Sequence, residues 1–208
     1  MTPMKQSVLP KGYVRISKPA AMGTTEEQTR RVLAAMPPTL YSRGGVLYVP
    51  DGGDRFARLA EESEVLRPGE VQSEGQNHVT KPGRVRVAEL IIGISADFPR
   101  RLAVGDAGIN PGTNVPLPPS DTATALGHEI TRVDVTQRII NVDVPSITFV
   151  GLFKSAGSYQ FNQPGQAVIS EVGLYTTDEV LAAVYNFAPI PVDVHRLGVL
   201  VEWEWSIL

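Results

Sequence analysis

Seventeen prolines are spread over the 208 residues of this chain, and they limit the length that any helix can reach. A proline inside a helix removes a backbone hydrogen bond and clashes with the preceding turn, so helices tend to end there. Nineteen glycines add further breaks. The sequence is therefore divided into short segments, which favours strands joined by loops over a bundle of long helices.

Apolar segments with β-branched residues recur through the chain with polar turns between them. The clearest is VLVEWEWSIL, in which every second position is apolar: Val199, Val201, Trp203, Trp205 and Ile207. This alternation is typical of a strand with one covered face. Strands are also predicted over 46–49, 85–94, 100–108, 130–135, 138–144, 146–153, 167–176 and 181–190, and residues 13–16 are interpreted as a short strand or an extended arm. Such spacing predicts a mainly β fold, with an antiparallel β-sandwich domain over residues 85–208, or a barrel-like β domain as the alternative.

The first part of the chain, residues 1–84, is less regular and is predicted to be an extended and helical N-terminal arm. TTEEQTRRVLAAMPP (24–38) has capping-box spacing and acidic residues in its first turn, which predicts a helix. Asp54 is a candidate cap for a second short helix, RFARLAEES. The polar, Gly/Pro-broken residues 64–84 are interpreted as a linker or long loop.

Composition and charge exclude several classes of protein. The chain is 42% hydrophobic and 20% charged, which is enough apolar material for a core. A net charge of −3 with no basic run argues against nucleic-acid binding. The absence of cysteine excludes disulfides and sulfur metal sites. MTPMKQSVLP lacks the apolar core of a signal peptide, and no apolar run approaches the roughly 20 residues of a membrane span, so we expect no membrane partner.

Motifs for catalysis or cofactor binding are not found in the sequence. The three histidines, His78, His128 and His195, are far apart and form none of the close pairs of a metal site. No serine lies in a nucleophile elbow, and AVGDAG lacks the full dinucleotide or phosphate-loop pattern. We therefore predict no catalytic residue, no metal and no cofactor, and a protein that is not an enzyme.

Charged residues that interrupt apolar strands are the remaining polar candidates. Glu171 in ISEVGLY and Arg132 in EITRVDV are predicted to form an ion pair within or beside the sheet. The catalytic alternative pairs Glu171 with Glu129 or Asp134 for glycoside cleavage, which requires a defined separation between the two carboxylates. The structural interpretation is favoured, because carboxylates on strands are common.

The aromatic residues of the predicted strands have two interpretations. Trp203, Trp205 and Tyr175 are candidates for core or subunit-interface anchors, because they alternate with polar residues and neighbour valine and isoleucine. The alternative is a sugar-binding platform, which requires exposed tryptophans.

Four segments in order resemble a domain that recurs in tail proteins of tailed bacteriophages, the tail-collar fibre and baseplate-associated fibre proteins. They are LAVGDAG (102–108), TATALGHEITRVDV (122–135), ISEVGLYTTDEVLAAV (169–184) and VLVEWEWSI near the end. The residues that match the second and third elements are Leu126, Glu129, Arg132, Ile169, Glu171, Gly173, Leu174 and Tyr175. The resemblance covers residues 85–208 and rests on order and spacing, since no single motif is specific.

The resemblance implies a virion structural role, in a β domain that joins fibres to the tail. In fibre proteins such a domain is followed by a long shaft, whereas this sequence ends at Leu208. We therefore expect a baseplate or tail-fibre adaptor subunit, an oligomer assembled in the host cytoplasm, whose partners are tail proteins, fibres and other copies. A neck or collar protein, a carbohydrate-binding host-recognition module and a glycan-degrading enzyme remain alternatives.

Overall fold

Two β-sheets make up most of the chain in this computed structural model, which describes residues 11–19, 33–94, 99–153, 166–193 and 198–206. The first strands are β1 (Lys11–Pro19), β2 (Thr39–Arg43), β3 (Val46–Asp51), β4 (Asp54–Leu59), β5 (Pro68–Gln76) and β6 (His78–Val79). Helix α1 (Lys81–Ile91) follows. The later strands are β7 (Pro99–Gly105), β8 (Glu129–Asp134), β9 (Gln137–Asn141), β10 (Ser146–Phe153), β11 (Gln166–Thr176), β12 (Leu181–Asp193) and β13 (Val199–Ser206).

The larger sheet has eight strands in the order β4-β3-β2-β9-β10-β13-β1-β5, and the smaller has five in the order β6-β12-β11-β7-β8. Val14 and Trp203 of the larger sheet belong to the same buried cluster as Leu102 and Val172 of the smaller one. The two sheets therefore share one core, as in a sandwich. The prediction of a mainly β, sandwich-like fold is confirmed.

The closing strand β13 lies inside the larger sheet. Trp203 is paired with Val14 of β1 on one side and with Phe149 of β10 on the other. The alternation of VLVEWEWS is explained by this position, because its valines and tryptophans face the core and its glutamates face the other side of the sheet.

The opposite face of the larger sheet carries a second, smaller cluster. Leu66, Val150, Leu152 and Leu200 are buried there, and Leu33 and Met36 pack against them. Gln137 is fully buried and joins the covering segments, since its Nε2 donates to the carbonyls of residues 37 and 64 and its Oε1 accepts from the N–H of residue 66. The larger sheet is thus covered on part of both faces.

Three predictions for individual elements are wrong. The predicted strand over 85–94 is mostly helical, because Thr80 caps α1 and its hydroxyl oxygen accepts from the N–H of Gly83 at 3.0 Å. The predicted helix RFARLAEES is strand β4 followed by a 3-10 turn (Glu62–Glu64), because the turn after β3 folds β4 back into an antiparallel hairpin. The predicted linker 64–84 contains β5, β6 and the start of α1.

Strands from the first part of the chain are integrated into the larger sheet. β1 lies between β13 and β5, and β2 pairs with β9. The β2–β9 pair is parallel, and β2 belongs to residues 1–84, outside the predicted antiparallel domain. Of the helix predicted over 24–38, residues 33–35 are helical and residues 24–32 lie outside the described part. No helix in the described ranges is long and apolar enough to cross a membrane.

Candidate functional site

Glu171 lies on β11, at the point where three of the segments singled out in the sequence meet. Its neighbour in the sheet is Gly105, at the end of β7, and Gly105 is paired in turn with Glu129 at the start of β8. The side chain of Glu171 is 3% exposed. It therefore needs partners for its carboxylate oxygens, because a buried charge without hydrogen bonds is costly.

Three backbone N–H groups supply those partners. Ala107 and His128 donate to Oε1 of Glu171 at 3.2 and 2.9 Å, and Gly127 donates to Oε2 at 3.0 Å. Ala107 follows β7, whereas Gly127 and His128 precede β8. One carboxylate thus fixes both ends of the connection between these strands, which we call the 106–128 loop.

Two glycines allow this close approach of backbone and carboxylate. A Cβ atom on Gly105 would lie 2.3 Å from the carbonyl oxygen of His128 and 2.4 Å from Oε1 of Glu171. A Cβ atom on Gly108 would lie 2.3 Å from the carbonyl oxygen of Ser170. The small-residue turn GDAG therefore provides the space in which the loop end contacts β11.

Tyr175 makes a second attachment from β11. Its hydroxyl oxygen accepts from the N–H of Leu126 at 3.0 Å, and burial raises the pKa of the phenol. The guanidinium of Arg132 lies 3.9 Å from the centre of the Tyr175 ring, a cation–π contact. Gly173, between Tyr175 and Glu171, leaves room for Leu126, whose Cδ2 would be 3.0 Å from an added Cβ.

The predicted ion pair between Glu171 and Arg132 is wrong. Arg132 instead binds Glu129 through two contacts of 3.0 and 2.6 Å, and it also pairs with Glu179. Both residues lie on the same face of the smaller sheet, since Gly173, two positions after Glu171, is level with Ala103 and Arg132. They do not pair because the loop ends supply backbone donors to the Glu171 carboxylate, whereas Arg132 reaches Glu129 and Glu179 over the ring of Tyr175.

The far part of the 106–128 loop is also attached to the sandwich. Asp121 binds His78 Nε2 at 2.6 Å and accepts a hydrogen bond from Arg84 at 3.2 Å. The hydrogen bond from Arg84 has the larger effect and that from His78 the smaller, and both lower the pKa of the Asp121 carboxyl group. The N–H of Lys81 donates to the carbonyl of Asp121 at 2.7 Å. Asn186 donates to the carbonyl of Leu117 at 3.0 Å. The loop is held at its ends and along its length.

Between these attachments the loop presents apolar side chains to solvent. Val115 is 58% exposed and Leu117 is 41% exposed, and they lie among four prolines: Pro111, Pro116, Pro118 and Pro119. A bond from the N–H of Asn110 to the carbonyl of Val115 at 2.9 Å closes the tip. The result is an ordered, exposed loop with an apolar surface.

The conditions for the enzymatic and glycan-binding alternatives are not met at these residues. Glycoside cleavage by Glu171 requires an open cleft, but Glu171 is buried and hydrogen-bonded to backbone groups. Asp134, one candidate second carboxylate, faces solvent beside Arg101. Trp203 is 0% exposed and Trp205 is 9% exposed, so both lie in the core and form no sugar platform.

Metal ligation has no candidate cluster within the described ranges, where no three histidine, aspartate or glutamate side chains come together. His78 and His128 are each bonded to one aspartate, Asp121 and Asp106, at 2.6 Å. His195 lies outside the described residues. The attachments of Asp121 were not found in the sequence, because His78 and Asp121 are 43 positions apart and no spacing rule joins them.

No protein-family model matches the chain, and neither the curated proteins nor the solved structures contain one that is detectably similar to it.

Proposed function

We propose that this chain is a non-enzymatic structural protein of a tailed-phage virion, a baseplate or tail-fibre adaptor subunit that joins fibres to the tail. The observation that carries the proposal is the meeting of LAVGDAG, TATALGHEITRVDV and ISEVGLY at Glu171. The segments that resemble tail-fibre domains thus act together in this structure, because they hold the 106–128 loop in place. Residues that act together in this way are a stronger basis for the proposal than their order alone.

In this proposal the 106–128 loop is the surface that contacts other tail proteins. Val115 and Leu117 are apolar, exposed and surrounded by prolines that restrict the backbone. A loop that is already ordered loses less conformational entropy on binding, so more of its contact energy contributes to affinity.

The partners in this proposal are tail or baseplate proteins, tail fibres and further copies of the chain, within the virion tail after assembly in the host cytoplasm. Nucleic acid, membrane and cofactors have no role in it. The alternative location, the neck or collar, implies the same structural role at a different position in the virion. Carbohydrate binding is not favoured, because Trp203 and Trp205 are buried.

Cryo-electron microscopy of purified virions tests the proposal. We expect density for this chain in the tail, in several copies, with the 106–128 loop at a contact between proteins. Density at the neck would replace the adaptor by the collar alternative. Absence of the chain from every particle would contradict a structural role in the virion.

A variant tests the loop itself, by complementation of a phage that lacks the native gene. The double substitution V115D/L117D places two charges on the loop, and we expect at least ~10-fold fewer tails that contain the protein. The matched control is V144D, because Val144 is 48% exposed in the β9–β10 turn. Equal incorporation of both variants, each shown to be folded by circular dichroism, would contradict a role of the 106–128 loop in contacts with other tail proteins.

A further inference from the structure

An apolar pocket of about 530 Å³ opens between α1, the β9–β10 hairpin and β13. Its walls include Val87 and Leu90 of α1, Phe149 of β10 and Trp205 of β13. This volume lies in the range of binding pockets, which is roughly 300–1,000 Å³. The described residues that line the pocket include none from the 106–128 loop, and nothing proposed above uses it.

The tip of the 106–128 loop is an apolar projection of the same molecule. Val115 and Leu117 are exposed there, and each is followed by a proline that restricts its backbone to extended conformations. Apolar side chains that cluster on a protein surface indicate a site of interaction. The chain thus carries both an apolar projection and an apolar pocket.

The projection and the pocket match in chemistry. Extended proline-containing segments bind in grooves lined by aromatic side chains, because their backbone is already restricted before binding. Phe149 and Trp205 supply aromatic side chains to the pocket, and Pro99 and Pro145 add further apolar surface. The loop tip offers two aliphatic side chains and the neighbouring proline rings, which suits a pocket of this size and polarity.

The charged residues of the two surfaces are opposite in sign. Residues 106–128 contain Asp106 and Asp121 but neither lysine nor arginine. The charged residues among the described walls of the pocket are Arg55 and Arg86. Arg86 is already bound by neighbouring carboxylates, so the exposed Arg55 supplies the positive charge that favours the approach of an acidic loop.

The tip of the loop does not fill the pocket of its own chain. Val115 and Leu117 are exposed, and the carbonyl of Leu117 is bound by Asn186 of β12. The same strand reaches the pocket at Ala182, which is roughly 13 Å away along the strand. A tip held at this place is therefore available to the pocket of another copy.

We propose that the tip of the 106–128 loop docks in the apolar pocket of a neighbouring copy of this chain, with Val115 and Leu117 against the wall formed by α1 and β10. This inference rests on the contact role proposed above for the loop, and it names the partner. Because the loop and the pocket are different surfaces, the contact is heterologous, and it repeats around a ring if its rotation closes.

Disulfide formation between copies of the full chain tests this proposal, and the absence of native cysteine gives a clean background. V115C places a thiol on the loop tip, and V142C places one on the wall of the pocket. The matched control is V144C, because Val144 is exposed in the same turn as Val142 but is not among the described residues that line the pocket. Purified single-cysteine variants are mixed in pairs and oxidised mildly, and mass spectrometry follows the mixed disulfide. Such a bond requires close approach of the two residues.

We expect V115C to form the mixed disulfide with V142C at least ~5-fold faster than with V144C, because docking raises the effective concentration of the two thiols. Adding L117D to V115C should remove this difference, since an unpaired charge is costly in an apolar pocket. Equal rates with V142C and V144C would overturn the proposal, and so would a difference that persists with L117D.

Light scattering of the native chain gives a second measurement that needs no cysteine. We expect self-association that rises with concentration and is weakened at least ~10-fold by V115D/L117D. A native chain that stays monomeric at every soluble concentration would overturn the inference. Poor incorporation of V115D/L117D into tails, together with equal disulfide rates, would assign the loop to a different tail protein, so this inference would fail while the proposed function stands.

Discussion

Glu171 shows how a single side chain can determine the path of a long connection. Its carboxylate accepts from backbone groups that are 43 to 64 positions away in sequence. Hydrogen bonds to an ionised acceptor are worth more than neutral ones, and three of them share the same buried carboxylate. The free energy of holding the 106–128 loop is therefore concentrated at this residue.

Substitution of Glu171 by glutamine tests whether this one carboxylate holds the 106–128 loop in place. E171Q keeps the volume but replaces one acceptor oxygen by an NH2 group that faces backbone donors. We expect a loss of about 2–4 kcal/mol in the free energy of unfolding and faster proteolysis within 109–121. E129Q is the control, because Glu129 is a more exposed carboxylate bound to Arg132, and it should cost less than about 1 kcal/mol. Urea denaturation measures both, and equal losses would contradict the special role of Glu171.

Glu202 makes a pH-dependent contribution to the stability of the fold, because its carboxyl group is largely buried. Burial raises the pKa of its carboxyl group, while Arg15, 3.6 Å away, partly offsets this effect. A raised folded-state pKa means that the contribution is most favourable at low pH and is lost as pH rises through the folded-state value. At pH 7 the ionised carboxylate therefore destabilises the fold.

Glutamine at this position removes the buried charge. We expect E202Q to raise the free energy of unfolding by about 1 kcal/mol at pH 7, and the gain to disappear below the usual carboxyl pKa, where Glu202 is protonated in both states. E204Q, two positions along the same face of β13, is the matched control and should change stability little. Thermal unfolding between pH 3 and pH 8 checks the sign, and a gain that persists at pH 3 would contradict the explanation.

At the scale of elements, helix α1 depends on one close contact with β12. Gly83 lies in the first turn, where an added Cβ would be 1.9 Å from the carbonyl oxygen of Ala182. Thr80 strengthens the same contact, since its hydroxyl donates to the carbonyl of Leu181 at 2.5 Å. The start of the helix is therefore packed directly onto a strand backbone, which cannot move aside.

Alanine at position 83 should be destabilising, although alanine favours helices elsewhere. We expect G83A to cost at least ~2 kcal/mol, because the backbone of β12 must shift or the helix must separate from it. Gly112 offers the matched control, since its nearest atom to an added Cβ is 3.5 Å away, and G112A should be nearly neutral. Chemical denaturation of both variants checks the difference, and a neutral G83A would show that the contact is looser than described.

At the scale of the whole molecule, β13 joins two parts of the larger sheet. It pairs with β10 on one side and with β1 on the other, so β1 and β5 are attached to the sheet only through it among the described strands. Its tryptophans also lie in the shared core. Removing it would expose two strand edges and a large apolar surface.

Deletion of residues 199–208 should therefore abolish folding. We expect an insoluble or molten product, seen by gel filtration and near-ultraviolet circular dichroism. Deletion of residues 207–208 alone keeps β13 and should leave a folded protein. A soluble and monodisperse product of the longer deletion would contradict the central position of β13.

The sequence by itself determined the features that depend on near neighbours in the chain. Prolines and glycines excluded long helices, and the alternation of VLVEWEWS predicted a strand with a covered face, which β13 confirms. Most strands from residue 99 onward were predicted for the same reason. The sequence shows the order of the segments that meet at Glu171, but it does not show that they meet there, because their hydrogen bonds join residues 43 to 64 positions apart.

Only the tertiary structure decided the features that depend on distant partners. Residues 85–94 have the β-branched composition of a strand, yet Thr80 and the contact of Gly83 with β12 make most of this segment helical. The sequence predicts an ion pair between Glu171 and Arg132, because each interrupts an apolar strand, whereas the structure shows the Glu171 carboxylate bound to backbone N–H groups at both ends of the 106–128 loop. Local pattern fixes which face of an element is apolar, whereas packing across the fold selects its partner, because that choice depends on contacts far apart in sequence.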